Sequence, residues 1–201
     1  MEFLKAIALA AVLPLPLACT GNRGGSGGGT TEETTMSTPD LVKPSGSLKL
    51  TSKDFQEGGT IALKNTSYGQ NLSPELSWMG TPQGTGSFAL ICGDPDAKRV
   101  AGKEWLHWAV VDLPPETTSL PEGAKKLPGS ARQLRNDFGK ETYGGPRPPA
   151  GTGVHHYTFA LYALKSKSLS VKSGVSLDAI REAIKVDVID QAKLTGTYEK
   201  M

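Results

Sequence analysis

The stretch ALICGDPDAKRVAGKEWLHWAVV, residues 89–111, decides the fold of this chain. It contains two apolar runs, one around Ala89–Cys92 and one over Leu106–Val111, joined by a polar connection. Apolar runs of this length that end in turn residues predict buried β-strands. Pro95 lacks a backbone donor and pushes Asp94 towards an extended conformation. The first strand is therefore expected to end at Asp94, with its carboxylate at the edge of a sheet.

His107 lies inside the second apolar run. Because strands alternate faces, it is predicted to share one face with Trp105, Ala109 and Val111. A histidine among such neighbours is at least half buried and needs a hydrogen-bond partner. The two carboxylates that flank Pro95, Asp94 and Asp96, are the candidate partners.

The composition is that of a soluble folded protein. A chain of 201 residues is long enough for one domain of ordinary size after the N-terminus is set aside. The formal net charge of +2, without a basic stripe interleaved with aromatic residues, excludes nucleic acid as a partner.

Residues 1–18, MEFLKAIALAAVLPLPLA, resemble a secretory signal. Lys5 gives a weak positive start, and the apolar part is too short to span a bilayer. The segment ends at Ala18-Cys19, which is typical of a bacterial lipoprotein signal, in which the cysteine becomes the first mature residue and carries the lipid. Pro16 departs from that pattern, since leucine is usual there. An ordinary cleaved signal with a chance cysteine is the alternative.

Residues 19–45 follow as a stretch rich in Gly, Thr and Ser that cannot bury a core. We therefore predict a lipidated Cys19 with a flexible tether and a folded domain over residues 46–201. The tether would anchor the protein in a membrane of the cell envelope, on its periplasmic or extracellular face. Cys92 is then the remaining thiol, and its apolar surroundings predict a buried, inert side chain.

The strongest strand signal is VHHYTFALYALK, residues 154–165. Alternation places His155 and Tyr157 on one face and His156 on the other, so the two adjacent histidines cannot line one pocket. A further strand is predicted at Thr60–Leu63, and a closing strand at Leu194–Tyr198.

A helix is predicted after Ser176, which has the side chain of a helix N-cap. The apolar residues that follow it at helical spacing are Leu177, Ile180, Ile184 and Val188. The intervals between these predicted elements are rich in Gly and Pro and are expected to form irregular backbone.

Six short segments, taken in order, resemble the phosphatidylethanolamine-binding protein family in its bacterial Raf-kinase-inhibitor-like branch. They are NLSPELSW (71–78), DPDA (94–97), EWLHW (104–108), YGGPRPPAG (143–151), VHHYTFALYAL (154–164) and LTGTY (194–198). The resemblance covers about residues 47–198. It implies a β-rich α/β fold, with a central antiparallel sheet, a second smaller sheet and peripheral helices.

The resemblance also implies a small anion-binding pocket at one end of a sheet. The ligands that it implies are phosphate, acetate-like anions and phosphorylethanolamine headgroups. Carried over position by position, the pocket residues are Asp94, His107, His155 and Tyr157. The residues implied for its wall or rim are Asp96, Pro148 and Pro149. Imidazole N–H and tyrosine O–H groups are donors that suit such anions, and a carboxylate can fix the tautomer of a histidine.

Three residues depart from the family pattern. Lys98 replaces a common proline, which could change the loop near the pocket. His156 replaces a usual arginine on the opposite face, and Asp187 stands where bacterial members often carry a histidine.

Two classes of function remain open from the sequence. The first is a non-catalytic module that binds a small anion or phosphate headgroup at the cell envelope, with a regulatory role included. The alternative is an envelope hydrolase that acts on phospho- or acyl-esters through a His/Asp site, although no serine or threonine lies in a nucleophile-elbow context.

We expect neither a metal nor a cofactor. Asp94, Asp96, His107 and His155 are of ligand type, but the chain has no HxxxH or HxH spacing and His155-His156 diverge. Monomer and homodimer both remain open.

Overall fold

The computed structural model describes residues 37–201 as two antiparallel sheets with two short α-helices. The predictions for the signal peptide, for Cys19 and for the tether up to residue 36 lie outside the described residues. Among residues 37–201, no helix is long and apolar enough to cross a bilayer. The expected β-rich α/β class, with a central antiparallel sheet, a second smaller sheet and peripheral helices, is confirmed.

The larger sheet has five strands in the order β6-β4-β3-β7-β8, and the smaller sheet has the order β1-β2-β5. The strands are β1 Lys49–Thr51, β2 Leu76–Met79, β3 Ser87–Asp94, β4 Trp105–Leu113, β5 Ser119–Leu120, β6 Arg132–Gln133, β7 His155–Leu164 and β8 Val188–Tyr198. The helices are α1 Lys98–Ala101 and α2 Leu177–Lys185, with 3-10 turns at Leu63–Asn65 and Pro95–Ala97.

The five-stranded sheet is buried on both faces, which explains the continuous apolar runs in its central strands. All eight residues of β3 are buried. One face packs against the small sheet through a cluster that includes Trp78, Phe88, Trp108 and Phe159. The other face packs against α2, through Ile180 and Ile184. Ser176 caps α2 as predicted, since its hydroxyl accepts from the Ala179 N–H at 3.2 Å.

A β-bulge at His107 corrects the predicted alternation of β4. Cys92 pairs with Trp108 and Gly93 pairs with Leu106, so His107 is an extra residue between them. Beyond the bulge the faces are exchanged, and Ala109 packs with Leu106 on the α2 side of the sheet. Bulges re-aim side chains in this way near functional sites. His107 therefore does not share a face with Ala109 and Val111.

Three other predicted elements differ from the structure. Thr60–Leu63 is not a strand, because only Thr60 forms a bridge, with Thr197, before the 3-10 turn that begins at Leu63. Val188 begins β8 and does not extend the helix, since α2 ends at Lys185. The interval 116–132, predicted as loop, contains β5.

The N-terminal part of the described chain, residues 38–45, is attached to β8 although it was predicted to belong to the tether. The Leu41 N–H donates to Gln191 Oε1 at 2.9 Å and the Ser45 N–H donates to Asp190 Oδ1 at 2.8 Å. Thr38 is buried and its hydroxyl donates to Glu104 at 3.1 Å. Packing is thus present at Thr38, before the boundary expected at residue 46. We call residues 38–45 the strap.

Candidate functional site

A cavity of about 210 Å³ opens at one end of the five-stranded sheet. At this end β3 finishes, β4 begins opposite it in the register Asp94–Trp105, and β7 begins at His155. The antiparallel order therefore brings together side chains that are far apart in sequence. The cavity is lined by Asp94, Ala97, Val100, Ala101, Trp105, His107, Phe138, Arg147, Pro148, Pro149 and His155.

Asp94 is the last residue of β3 and forms part of the floor of the cavity. Its backbone is extended (φ −114°, ψ 97°), as expected before Pro95, and its Oδ1 accepts from the Ala97 N–H at 3.1 Å. Its Oδ2 lies 2.8 Å from Nδ1 of His155, and both side chains are almost completely buried. The sequence left Asp94 free to pair with either pocket histidine, and the structure pairs it with His155.

Thr152 links His155 to the loop before β7. Its hydroxyl oxygen lies 2.8 Å from the Pro149 carbonyl and 3.0 Å from His155 Nε2. A hydroxyl carries one proton and a carbonyl only accepts, so when Thr152 donates to Pro149, Nε2 must donate to Thr152. When Thr152 donates to Nε2 instead, that nitrogen accepts, and in both cases Nδ1 donates to the Asp94 carboxylate.

His107 is fixed by the glycine loop at 144–145. The Gly144 N–H donates to the His107 carbonyl at 3.0 Å, and His107 Nδ1 donates to the Gly144 carbonyl at 2.5 Å. Because a carbonyl only accepts, Nδ1 carries the proton and Nε2 is the ring nitrogen left to the cavity. Burial lowers the pKa of His107, although this hydrogen bond and the Asp94 and Asp137 carboxylates act against it. The neutral ring presents a lone pair at Nε2.

Gly144 and Gly145 allow this close approach. A Cβ on Gly144 would meet the Phe138 ring at 2.5 Å, and one on Gly145 would meet the Asn65 carbonyl at 2.3 Å. Asn71 holds the same loop, since its Oδ1 accepts from the Gly145 N–H at 2.7 Å. The loop is therefore a fixed wall, and the tautomer of His107 is fixed with it.

Tyr157 lies beneath the floor of the cavity and does not line it, in contrast to the position implied for it. It is fully buried, and its ring meets that of His107 edge-on with centroids 5.1 Å apart. Its hydroxyl makes no hydrogen bond with the described residues. Burial, and then the nearby Asp94 carboxylate, raises the pKa of the phenol. The alternation of β7 did place Tyr157 on the face of His155, but the residue lies below the lining of the cavity.

Asp96 also lies outside the cavity, in contrast to the implied wall position. Its Oδ2 accepts from the His156 N–H at 2.9 Å and from His156 Nδ1 at 2.8 Å. Its Oδ1 accepts from Arg99 at 3.0 Å. Asp96 and His156 form a second histidine–carboxylate pair, with His156 on the face away from the cavity.

The walls of the cavity are mainly apolar, with Trp105 and Phe138 on one side and the two prolines on the other. Pro148 and Pro149 are in the positions expected for the rim. The Tyr68 hydroxyl donates to the Pro148 carbonyl at 2.8 Å and supports that rim from outside. Lys98 is exposed and does not line the cavity, but it begins α1, whose Val100 and Ala101 do.

Arg147 is a site residue that the sequence reasoning missed. It lies at the edge of the cavity, is exposed, and forms no ion pair with any of residues 37–201. The guanidinium offers five donors in a planar fork that suits phosphate and carboxylate oxygens. The sequence did contain a signal for Arg147, because it lies between Gly-Pro and Pro-Pro. Prolines restrict the backbone, so a charged side chain between them is held in a position to bind a ligand.

Within residues 37–201, no three His, Cys, Asp or Glu side chains come together in a group that could hold a metal ion. Cys92 lies on β3, two residues before the cavity, and is a buried free thiol as predicted. Burial raises its pKa well above the ordinary value.

The fold and this cavity define a class of protein: two antiparallel sheets with a pocket of histidine, aspartate and arginine at one sheet end. Residues 51–199 match the family model described as "Phosphatidylethanolamine-binding protein". The chain belongs to this family, as its motifs predicted.

Similarity to individual proteins supports the same family assignment. A protein of Methanothermobacter thermautotrophicus is 41% identical over 156 residues, which cover 76% of this chain and 99% of that protein. The structure of Escherichia coli YbcL, described as a new member of the mammalian PEBP family, is similar with a TM-score of 0.72 and 36% identity. That match covers 77% of this chain and 99% of the YbcL chain.

LppC of Mycobacterium tuberculosis, which carries the name of a lipoprotein, is 34% identical over 183 residues. The match covers 87% of this chain and 88% of LppC. That share of 201 residues exceeds the part after residue 36, so the similarity reaches into the N-terminal segment.

Proposed function

We propose that this protein is a non-catalytic module that binds a small anion, such as phosphate or a phosphate-bearing headgroup, at the cavity beside Asp94. The observation that carries the proposal is Arg147, whose guanidinium has no ion-pair partner among residues 37–201 and lies at the edge of a cavity whose floor is fixed by hydrogen bonds. A preorganised floor lowers the cost of ordering the site when a ligand binds. The apolar walls lower the local polarity inside the cavity and strengthen hydrogen bonds made there.

The affinity should be low. Each hydrogen bond to a charged group contributes about 1.5–3 kcal/mol, and a few of them must offset the cost of immobilising the ligand. We therefore expect dissociation constants on the order of micromolar to millimolar. A module held at a membrane would use such weak binding through high local concentration.

The test is a titration of the full chain with inorganic phosphate and with phosphorylethanolamine, followed by NMR and calorimetry. Arg147→Gln should weaken binding about tenfold, because a bidentate charged contact is lost. Arg99→Gln is the matched control, since Arg99 is a nearby arginine that contacts Asp96 and does not line the cavity. Equal losses in the two variants would contradict the site.

A second pair of variants compares the contributions of His155 and His156 to ligand affinity. His155→Ala should weaken binding strongly, because it removes a cavity residue and leaves Asp94 without its partner. His156→Ala removes an equivalent histidine–aspartate pair outside the cavity and should leave the affinity unchanged. A larger loss in His156→Ala than in His155→Ala would overturn the proposal.

The anchoring part of the proposal concerns Cys19. The apolar segment that ends at Ala18-Cys19 and the similarity to LppC support a lipid anchor at the cell envelope. Two acyl chains suffice for stable anchoring, whereas one is marginal. Cys19→Ser should release the protein from the membrane fraction. A variant that still sediments with membranes as the unchanged chain does would refute the anchor.

One observation favours the hydrolase alternative. Thr152, His155 and Asp94 form a hydroxyl–imidazole–carboxylate chain with steps of 3.0 and 2.8 Å, the order found in nucleophilic triads. Against it, the Thr152 hydroxyl also donates to the Pro149 carbonyl, and Thr152 does not line the cavity. Turnover of p-nitrophenyl acetate or phosphate that disappears in Thr152→Val would favour the hydrolase. No turnover above the Thr152→Val variant would favour the binding module.

A further inference from the structure

The two ends of the cavity differ in hydrogen-bonding character. The floor, formed by Asp94 and His107, offers acceptors, and the mouth, at Arg147, offers donors. At the floor, the Asp94 carboxylate accepts from His155 and from the Ala97 N–H. Beside it, His107 keeps its proton on Nδ1 and donates it in a hydrogen bond to the Gly144 carbonyl, so that Nε2 is left to the cavity with a lone pair. At the mouth, Arg147 presents only N–H groups. Any ligand that fills the cavity must match both ends.

A fully deprotonated tetrahedral anion does not match the floor. Its oxygens are all acceptors, and against Asp94 and His107 Nε2 they would meet lone pairs and negative charge. A phosphate that keeps one proton does match, since its P–OH donates to the floor while its charged oxygens accept from Arg147. We propose that the cavity selects the monoprotonated form of phosphomonoesters. This inference rests on the proposed function, because it assumes that the ligand is a phosphate.

The alternative is that His107 itself takes up the proton when the ligand binds. The groups that face His107 are Asp94 at the end of β3, Asp137 in the loop before the glycines, and Tyr157 on β7. The two carboxylates favour a charged ring, but burial outweighs them and lowers the pKa of His107. The contact to the Gly144 carbonyl allows no change of tautomer, because that oxygen cannot donate. A ring that is neutral before binding favours a proton that comes with the ligand, and the protonation of His107 in the complex is the test.

This selection divides phosphate esters into two chemical classes. A phosphomonoester has a second pKa of about 6, so its monoprotonated form is accessible near neutral pH. A phosphodiester, such as the headgroup of an intact diacyl phospholipid, has no proton on its phosphate. The cavity is therefore built for a monoester and rejects a diester of the same size and charge.

Three small probes separate these cases on the full chain at pH 6 and pH 7.5. Methyl phosphate carries the proton, dimethyl phosphate does not, and methyl sulfate has the charge and shape of the monoprotonated ester without its proton. We expect methyl phosphate to bind about tenfold or more tighter than either, since a charged acceptor left without its donor is costly. Calorimetry in buffers of different ionisation enthalpy should show proton uptake with methyl phosphate at pH 7.5 and none with the other two probes.

The His107 ring gives a second, independent measurement. Its ¹⁵N resonances should show a neutral ring protonated at Nδ1 before and after methyl phosphate binds. An imidazolium in the complex would overturn the inference. His107→Asn keeps a donor for Gly144 but removes Nε2, and should abolish the preference for methyl phosphate; His156→Asn is the matched control and should keep it.

The outcomes are distinguishable from those of the proposed function. Equal binding of the three probes would overturn the selection and leave the anion site standing. No binding of any probe or of inorganic phosphate at millimolar concentration would overturn both. Dihexanoyl phosphatidate, a lipid monoester, identifies the source: tighter binding than methyl phosphate supports a lipid-borne monoester, and equal or weaker binding supports a free one.

Discussion

Two histidine–aspartate pairs lie next to each other at the same end of the five-stranded sheet. His155–Asp94 and His156–Asp96 have the same Nδ1–Oδ2 distance, 2.8 Å. They differ in their surroundings: His155 is buried at the cavity, whereas the His156 side chain is 30% exposed on the other face. His155 and His156 are adjacent in β7 and lie on opposite faces, so that the first pair borders the cavity and the second stabilises the turn after β3.

The difference teaches that pairing alone does not define a site. Asp96 uses its oxygens on the backbone of His156, on the His156 ring and on Arg99, and it fixes the polar connection after β3. Asp94 also fixes this connection, through Ala97, but it does so beside an open volume. The two pairs are therefore distinguished by the open volume beside Asp94 and not by their hydrogen bonds.

The largest expected effect is on stability when each carboxylate is removed. Asp94→Ala leaves the Ala97 N–H and the His155 ring buried without a partner, which should lower the free energy of unfolding by about 3 kcal/mol. Asp96→Ala leaves donors that water can reach at His156 and Arg99, and should cost about 1–2 kcal/mol. Urea unfolding of both variants measures the difference. An equal or larger loss for Asp96→Ala would show that burial does not distinguish the pairs.

A third histidine sharpens the comparison, because His107 has a carbonyl and no carboxylate as its hydrogen-bond partner. Burial lowers its folded-state pKa below the ordinary value of 6.5, so the unfolded chain takes up this proton first as the pH falls. Its contribution to stability is therefore complete above pH 6.5 and is lost as the pH falls through the folded-state pKa.

We expect the free energy of unfolding to decrease between pH 7 and pH 5. His107→Asn should remove that part of the pH dependence, and His156→Asn should retain it. Chemical unfolding at several pH values provides the measurement. An unchanged pH dependence in His107→Asn would contradict the lowered pKa.

The smallest effect is expected at Tyr157, beneath the floor. Its hydroxyl is buried without a partner among the described residues, so Tyr157→Phe should change the free energy of unfolding by less than about 0.5 kcal/mol or increase it. Phosphate affinity should not change, whereas a hydroxyl that donated to the ligand would lower it several-fold on removal. The same titration that tests Arg147 measures this.

The sequence predicted the end of β3 and the faces of β7 because both depend on local rules. Proline after Asp94 ends the strand whatever lies around it, and alternation separates His155 from His156 without knowledge of the fold. The family resemblance predicted which segments meet at the cavity, and the sheet register now shows why they do.

The bulge at His107 could not be predicted from periodicity. It involves Gly144 of a distant loop, whose carbonyl accepts a hydrogen bond from His107 Nδ1 and whose N–H donates to the His107 carbonyl. The burial of Tyr157 below the cavity lining could not be predicted for a related reason. Alternation predicts the face of the sheet on which a residue lies, but its distance from the cavity depends on the side chains that pack over it. Arg147 was overlooked because an exposed arginine has no periodicity at all.

The prediction that residues 38–45 belong to the flexible tether was wrong, because a polar composition does not exclude packing. Residues 38–45 pack Leu41 against the apolar cluster beside α2, and side chains of β8 and Glu104 attach them by hydrogen bonds. These hydrogen-bond partners lie more than 60 residues away in sequence.

The strap also determines how a mechanical load would enter the molecule. Within the described residues, tension applied from the N-terminal side reaches Thr38 first, which contacts Glu104 and Lys193. β8 behind it is held to β7 along almost its whole length, from His155–Tyr198 to Leu164–Val188. We expect the strap to peel away at low force while the sheet stays intact, so that a pulled molecule lengthens before its cavity is disturbed. Single-molecule stretching from the N-terminus would show this as an early extension step that precedes unfolding of the domain.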